Sequence, residues 1–154
     1  MKKIIVGIDP DSNKSGLAIF ENGKIIECCS MCLYDLFVLF SELEHEVSRG
    51  YCVEIHIEDL CAISHNGFNV RSKDNISVKM KKAEHVGRCK QVQIEIEKVA
   101  KYYGLKLIKH KVCSAWKKDK EMFHRITNWN GTSNEDSRSA AYFAYCGVLN
   151  SQFL

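Results

Sequence analysis

Proline is almost absent from this sequence: Pro10 is the single one in 154 residues. With nine glycines beside it, that scarcity excludes a Pro/Gly-rich linker and a collagen-like repeat. Long apolar runs are missing as well. The longest stretch, Met31 to Phe40, is interrupted by Asp35 and falls far short of the ~20 residues a membrane span needs. The apolar part of Met1-Lys2-Lys3-Ile4-Ile5-Val6-Gly7 is too short for a signal-peptide core. A second C-x-x-C or Cys/His pair to complete Cys29-Ser30-Met31-Cys32 as a zinc site is also lacking. The eight cysteines therefore read as reduced, mostly buried thiols in a cytoplasmic protein with no membrane partner.

What is present is a folding chain, 45% hydrophobic and 27% charged. Its length suits one domain over residues 1–154 and is too short for two lobes with a cleft between them. The net charge of +3 hides a strong asymmetry. Residues 1–59 carry five Lys/Arg against eleven Asp/Glu, and residues 60–131 carry sixteen against six. A basic middle behind an acidic first third points to a polyanion, with nucleic acid the leading candidate.

Hydrophobic periodicity orders the elements. Lys2 to Asp9 reads as a buried strand, Ser15 to Phe20 as a second, and Lys24 to Ser30 as a third. Asn22-Gly23 joins the last two as a hairpin. Leu33, Leu36, Phe37, Phe40, Leu43 and Val47 mark an amphipathic helix that Gly50 should end. Val53 to Glu58 alternates strictly, placing Glu54, His56 and Glu58 on one strand face and Val53, Ile55 and Ile57 on the other. A long helix is predicted from Ile76 to Tyr103, with Cys89, Val92, Ile96, Val99 and Tyr103 as its apolar stripe. A short strand, Leu105 to His110, follows. A basic helix over Lys118 to Trp129 and a last helix over Glu135 to Leu149 complete the order. The expected fold class is α/β: a five-stranded mixed sheet flanked by helices.

Acids stand at the ends of otherwise apolar elements. Asp9 ends the first strand, Glu58 ends the fourth, and Glu135 and Asp136 begin the last helix. Each has a structural reading: a turn former before Pro10, a lysine partner, and a capping box with Ser133 as N-cap. Together they have a chemical one. If strands one and four are neighbours, these acids converge at one sheet edge, and clustered carboxylates call for divalent cations. Oxygen-only ligands favour Mg²⁺ or Mn²⁺. Two such ions can clamp a phosphodiester.

At these residues the sequence resembles a family. Ile5-Val6-Gly7-Ile8-Asp9-Pro10-Asp11 followed by Ser15-Gly16-Leu17-Ala18 is similar to the opening of RuvC-type Holliday junction resolvases, which are ribonuclease H-like endonucleases. Ile55-His56-Ile57-Glu58-Asp59 resembles their second acidic strand. Ala83 to Cys89 resembles the start of their long helix, and Asn134 to Ala141 their C-terminal acidic helix. The resemblance implies a single nuclease domain with a ribonuclease H-like fold. It implies Asp9, Glu58 and Asp136 as metal-binding carboxylates, Mg²⁺ as cofactor with Mn²⁺ as substitute, and no organic cofactor. It implies a homodimer that nicks four-way DNA junctions symmetrically, leaving 5′-phosphate and 3′-hydroxyl ends. Two departures matter. Ser139 stands where the family usually carries a second helix acid, leaving Glu135 or Asp59 to supply the charge. The family's Gly-rich basic segment is replaced by Trp116 to Arg125.

The basic middle supplies candidate DNA contacts: Arg71, Lys73, Lys81, Lys82, Arg88, Lys111, Lys117 and Lys118. Phe68, in the polar loop His65 to Arg71, is a candidate to stack on an unpaired base, a contact worth ~1–3 kcal/mol. His56 reads as a packed histidine. Two other functions fit the same residues: an RNA-processing nuclease of the YqgF type, and a catalytically inactive module that binds branched DNA.

Overall fold

The computed structural model describes residues 2–64 and 71–152, with side chains described as far as residue 150. Three strands open the chain: β1 (Lys3–Asp9), β2 (Ser15–Glu21) and β3 (Lys24–Met31). Asn22 and Gly23 both take positive φ, 50° and 82°, as a two-residue hairpin turn with the right-handed strand twist demands. Helix α1 (Leu33–Ser48) leads to β4 (Cys52–Glu58), and helix α2 (Ile76–Tyr102) leads to β5 (Lys106–His110). Two helices close the chain, α3 (Lys120–Thr127) and α4 (Glu135–Gln152). The five strands lie in the order β3-β2-β1-β4-β5. The first three are antiparallel neighbours. β4 runs parallel to both β1 and β5. This is the expected mixed sheet. Among the described residues, no helix is long and apolar enough to cross a membrane.

The central strands bury both faces, and the two faces differ. Ile4, Val6 and Ile8 of β1 join Val53, Ile55 and Ile57 of β4 beneath α1 and α2. Leu36, Phe40 and Leu43 come down from α1, and Ile96 and Ala100 from α2. The opposite face is covered by α4, whose Ala140, Ala141 and Ala144 meet Ile5, Ala18 and Phe20. Small residues let this helix come very close. A Cβ on Gly7 would lie 1.9 Å from the Ala140 carbonyl oxygen, and one on Gly16 would lie 2.1 Å from that of Asp136. Val148, not Leu149, closes the far end of this core.

Three sequence expectations shift. The buried line of α2 is Cys89, Gln93, Ile96 and Ala100, with Val92, Val99 and Tyr103 on its flank. Gln93 can be buried because its amide is satisfied: it donates to Asp59 and Glu97 at 2.8 and 2.7 Å and accepts from the Cys61 N–H. The basic helix is shorter than predicted. Asp119 caps it by accepting from Met122 N–H at 2.9 Å, and Asn128 ends it at φ 53°. The α4 cap is Asn134 and not Ser133. Asn134 Oδ1 accepts from Ser137 N–H at 2.8 Å, and Ser137 Oγ accepts from Asn134 N–H at 3.0 Å. That one-residue shift releases Asp136 from capping.

Candidate metal centre and nucleic-acid interface

Parallel pairing of β1 with β4 sets Ile8 opposite Ile57. Asp9 and Glu58 are the next residue on each strand, so both end at the same sheet edge. Strand alternation turns both toward the face that α4 covers. The seat of α4 on Gly7 and Gly16 brings Asp136, in its first turn, to the same edge. The three carboxylates line one cleft of about 490 Å³, together with Asp11, His85, Cys89 and Lys117.

Lys117 is held there by its backbone. Arg138 of α4 donates from Nε to the Trp116 carbonyl at 3.1 Å and from Nη2 to the Lys117 carbonyl at 2.6 Å. Trp116 is buried among Phe123, Tyr142 and Tyr145. The Lys117 ammonium thus reaches inward, 2.8 Å from Asp9 Oδ2 and 3.8 Å from Asp136 Oδ1. Lys117, a candidate DNA contact from the sequence, stands inside the acid cluster as its internal cation.

One cation does not neutralise the cluster. Burial, with the Asp9 charge beside it, pushes the Glu58 carboxyl up to about 8, against the opposing Lys117 ammonium and the Cys113 N–H. Burial and Asp9 likewise raise Asp136 above the usual carboxylate range. Burial disfavours the charged Lys117, but Asp9, Glu58 and Asp136 outweigh it and raise its pKa overall. Asp9 Oδ2 is buried and takes no well-directed hydrogen bond among the described residues, although the ammonium stands beside it. A hard divalent cation suits this donor set: oxygen ligands, excess negative charge and an underused buried oxygen. Asp9, Glu58 and Asp136 are the residues that would hold it, and binding would expel the Glu58 proton.

Other candidates lie elsewhere. Glu135 is exposed to solvent. Asp59 turns to Gln93 and to Lys109, at 2.8 and 3.7 Å. Ser139 is buried, its hydroxyl without a hydrogen-bond partner among the described residues. Asp11 is the further acid in the cleft. Its signal was present in Asp9-Pro10-Asp11, where turn chemistry masked it. His85 and Cys89 gave no such signal, since helical spacing alone does not say which sheet edge a helix face meets.

Of the candidate basic residues, Lys82 and Lys117 line the cleft. Arg71, Lys73, Lys81, Arg88, Lys111 and Lys118 are exposed. Arg88 pairs with Glu84 one helical turn back, and Lys82 pairs with Asp74 at 2.6 Å and lines the cleft. Phe68 lies outside the described residues.

No family model matches the sequence, and no curated protein matches it. Solved structures do match the fold, two of them of RuvC. One is the RuvC of Thermus thermophilus in complex with a Holliday junction substrate. It is 12% identical, covers 98% of this chain and 96% of the other, and superposes with a TM-score of 0.59. The second, a Thermus thermophilus RuvC structure, is 11% identical, covers 97% and 96%, and has the same TM-score of 0.59. The chain therefore has the RuvC-like, ribonuclease H-like fold along nearly its whole length.

Proposed function

We propose that this chain is a Mg²⁺-dependent endonuclease that cuts branched DNA, with the four-way junction as its substrate. The observation that carries the reading is the meeting of Asp9, Glu58 and Asp136 in one cleft, with two of the three carboxyls raised toward the neutral form. Structural carboxylates avoid such crowding. A cluster kept at this cost fits groups that await positive charge. Bound divalent ions would supply Lewis-acid activation of water and stabilisation of the leaving oxygen.

The chain's own residues do the rest. Asp9 presents a buried carboxylate whose Oδ2 pairs with the Lys117 ammonium at 2.8 Å and could serve a metal ion instead. Glu58 would give up its proton to hold a cation, so affinity for the ion should rise with pH. Lys117, paired with Asp9 at 2.8 Å, would be freed by a bound cation to meet a phosphate oxygen of the substrate. Arg138 keeps its backbone in position. Lys82 lines the cleft, and the exposed Lys81, Arg88, Lys111 and Lys118 are candidates to position a DNA backbone without reading sequence. A homodimer suits a junction with two equivalent strands to cut. Ile76 and Met80, exposed on α2, offer it an apolar contact.

A second reading, an inactive module that binds branched DNA, is favoured by Ser139 in place of an acid and by the lysine already inside the cluster. Cleavage separates the two. Purified protein with Mg²⁺ or Mn²⁺ should nick a synthetic four-way junction symmetrically. Asp9→Asn should lower cleavage by at least about a thousandfold while binding persists. Binding without cleavage in either metal would select the inactive module. Preference for structured RNA would select a YqgF-type activity.

A further inference from the structure

Beside the carboxylates, the same cleft holds a second donor set of different chemistry. His85 and Cys89 are four residues apart on α2 and so share one helix face. Asp11, from the turn after β1, faces them. His85 Nε2 lies 3.8 Å from Asp11 Oδ2, Cys89 Sγ lies 3.9 Å from the same oxygen, and Cys89 Sγ lies 3.7 Å from His85 Nε2. The three donors form a nearly equilateral triangle.

We propose that Asp11, His85 and Cys89 form a Zn²⁺ site that ties the turn after β1 to α2. Ordinary zinc bond lengths of ~2.0–2.3 Å imply donor separations of about 3.3–3.6 Å around a tetrahedral ion. The triangle needs to contract by only a few tenths of an ångström. A second feature points the same way. Ser12 Oγ stands 3.4 Å from His85 Nδ1, the ring nitrogen facing away from the triangle. A proton on Nδ1 shared with that hydroxyl leaves the Nε2 lone pair free for a metal, the arrangement usual around zinc-binding histidines. Cys89 is buried at the base of the triangle and His85 is exposed at its mouth, which gives the ion a path in. Binding replaces the Cys89 S–H bond with an S–Zn bond and releases the proton to water. Three protein ligands leave the fourth position open toward the cleft.

The sulfur distinguishes this site from the oxygen-only carboxylates, so the inference stands whether or not the nuclease reading does. Co²⁺ is the probe, because thiolate coordination gives a near-ultraviolet charge-transfer band that carboxylates cannot give. Reduced full-length protein should develop that band at one equivalent. Cys89→Ser should lose it, Cys61→Ser should keep it, and Asp9→Asn should keep it while losing cleavage. Zn²⁺ should raise the Tm of the wild type by more than that of His85→Ala, which keeps the carboxylates. His85 is solvent-exposed, so that variant should fold. Absence of the band in the wild type, or its survival in Cys89→Ser, would overturn the site.

Discussion

Glu54 and Glu58 sit on the same face of the same strand, four residues apart, yet their carboxyls are driven in opposite directions. Burial opposes the charge on both. Glu54 overcomes it by bonding to two lysines, Lys3 and Lys106, each at 2.7 Å, and its pKa falls to about 2. Glu58 has the Asp9 charge beside it, and its pKa rises to about 8. His56, between them, is held neutral by burial and by His110, whose Nε2 lies 2.7 Å from His56 Nδ1. Its pKa drops to about 4. One end of the strand has its charges matched within the fold. The other end is left mismatched, which fits a place where something is to bind. One run of alternating polar residues can thus hold a structural ion-pair network and a candidate reactive group within one strand.

Substitution should break this comparison most sharply. Glu54→Gln is expected to cost about 1–2 kcal/mol of stability at pH 7, because buried charge-assisted bonds are lost. Glu58→Gln should raise metal-free stability at pH 7, since glutamine is neutral without having to take up a proton on folding, while Mg²⁺-dependent cleavage disappears. Chemical denaturation of both variants checks the contrast, and equal costs would erase it.

Lys117→Ala tests the mismatched end alone. Removing the resident ammonium should lower the Mg²⁺ concentration for half-maximal binding by about tenfold, equivalent to ~1.4 kcal/mol. Calorimetric titration of metal-free protein measures this. A weaker site would mean that Lys117 assists metal capture instead of competing with it.

The smallest effect is a pH dependence. Glu58 has a folded pKa above its unfolded value, so its contribution to stability is present in acid and is lost as pH rises toward about 8. Metal-free protein should lose Tm steadily as pH rises from 6 to about 8, and Mg²⁺ should restore it. The loss should vanish in Glu58→Gln. His56 acts at the other side of neutrality. Its folded pKa is depressed, so its contribution holds above about pH 6.5 and is lost as pH falls toward 4.

Much of this was legible beforehand. The Asn22-Gly23 hairpin, the alternation in β4 and the long α2 each announced themselves through local spacing. The convergence of Asp9, Glu58 and Asp136 was foreseen on the condition that β1 and β4 pair, and they do. The pairing of Lys117 with Asp9 was not legible, because it depends on Arg138, twenty-one residues later, gripping its carbonyl. Gln93 was overlooked because its burial depends on partners in other segments. The cap of α4 moved by one residue because Asn134 and Ser137 satisfy each other better than Ser133 can.

The sequence alone determined the elements, their order and which residues face together, because these follow from periods of 2.0 and 3.6 that each segment carries within itself. Tertiary structure decided the charge state of each acid and the meeting of Asp11 with His85 and Cys89. Both depend on distance and desolvation between residues far apart in the chain, and no local pattern encodes those quantities.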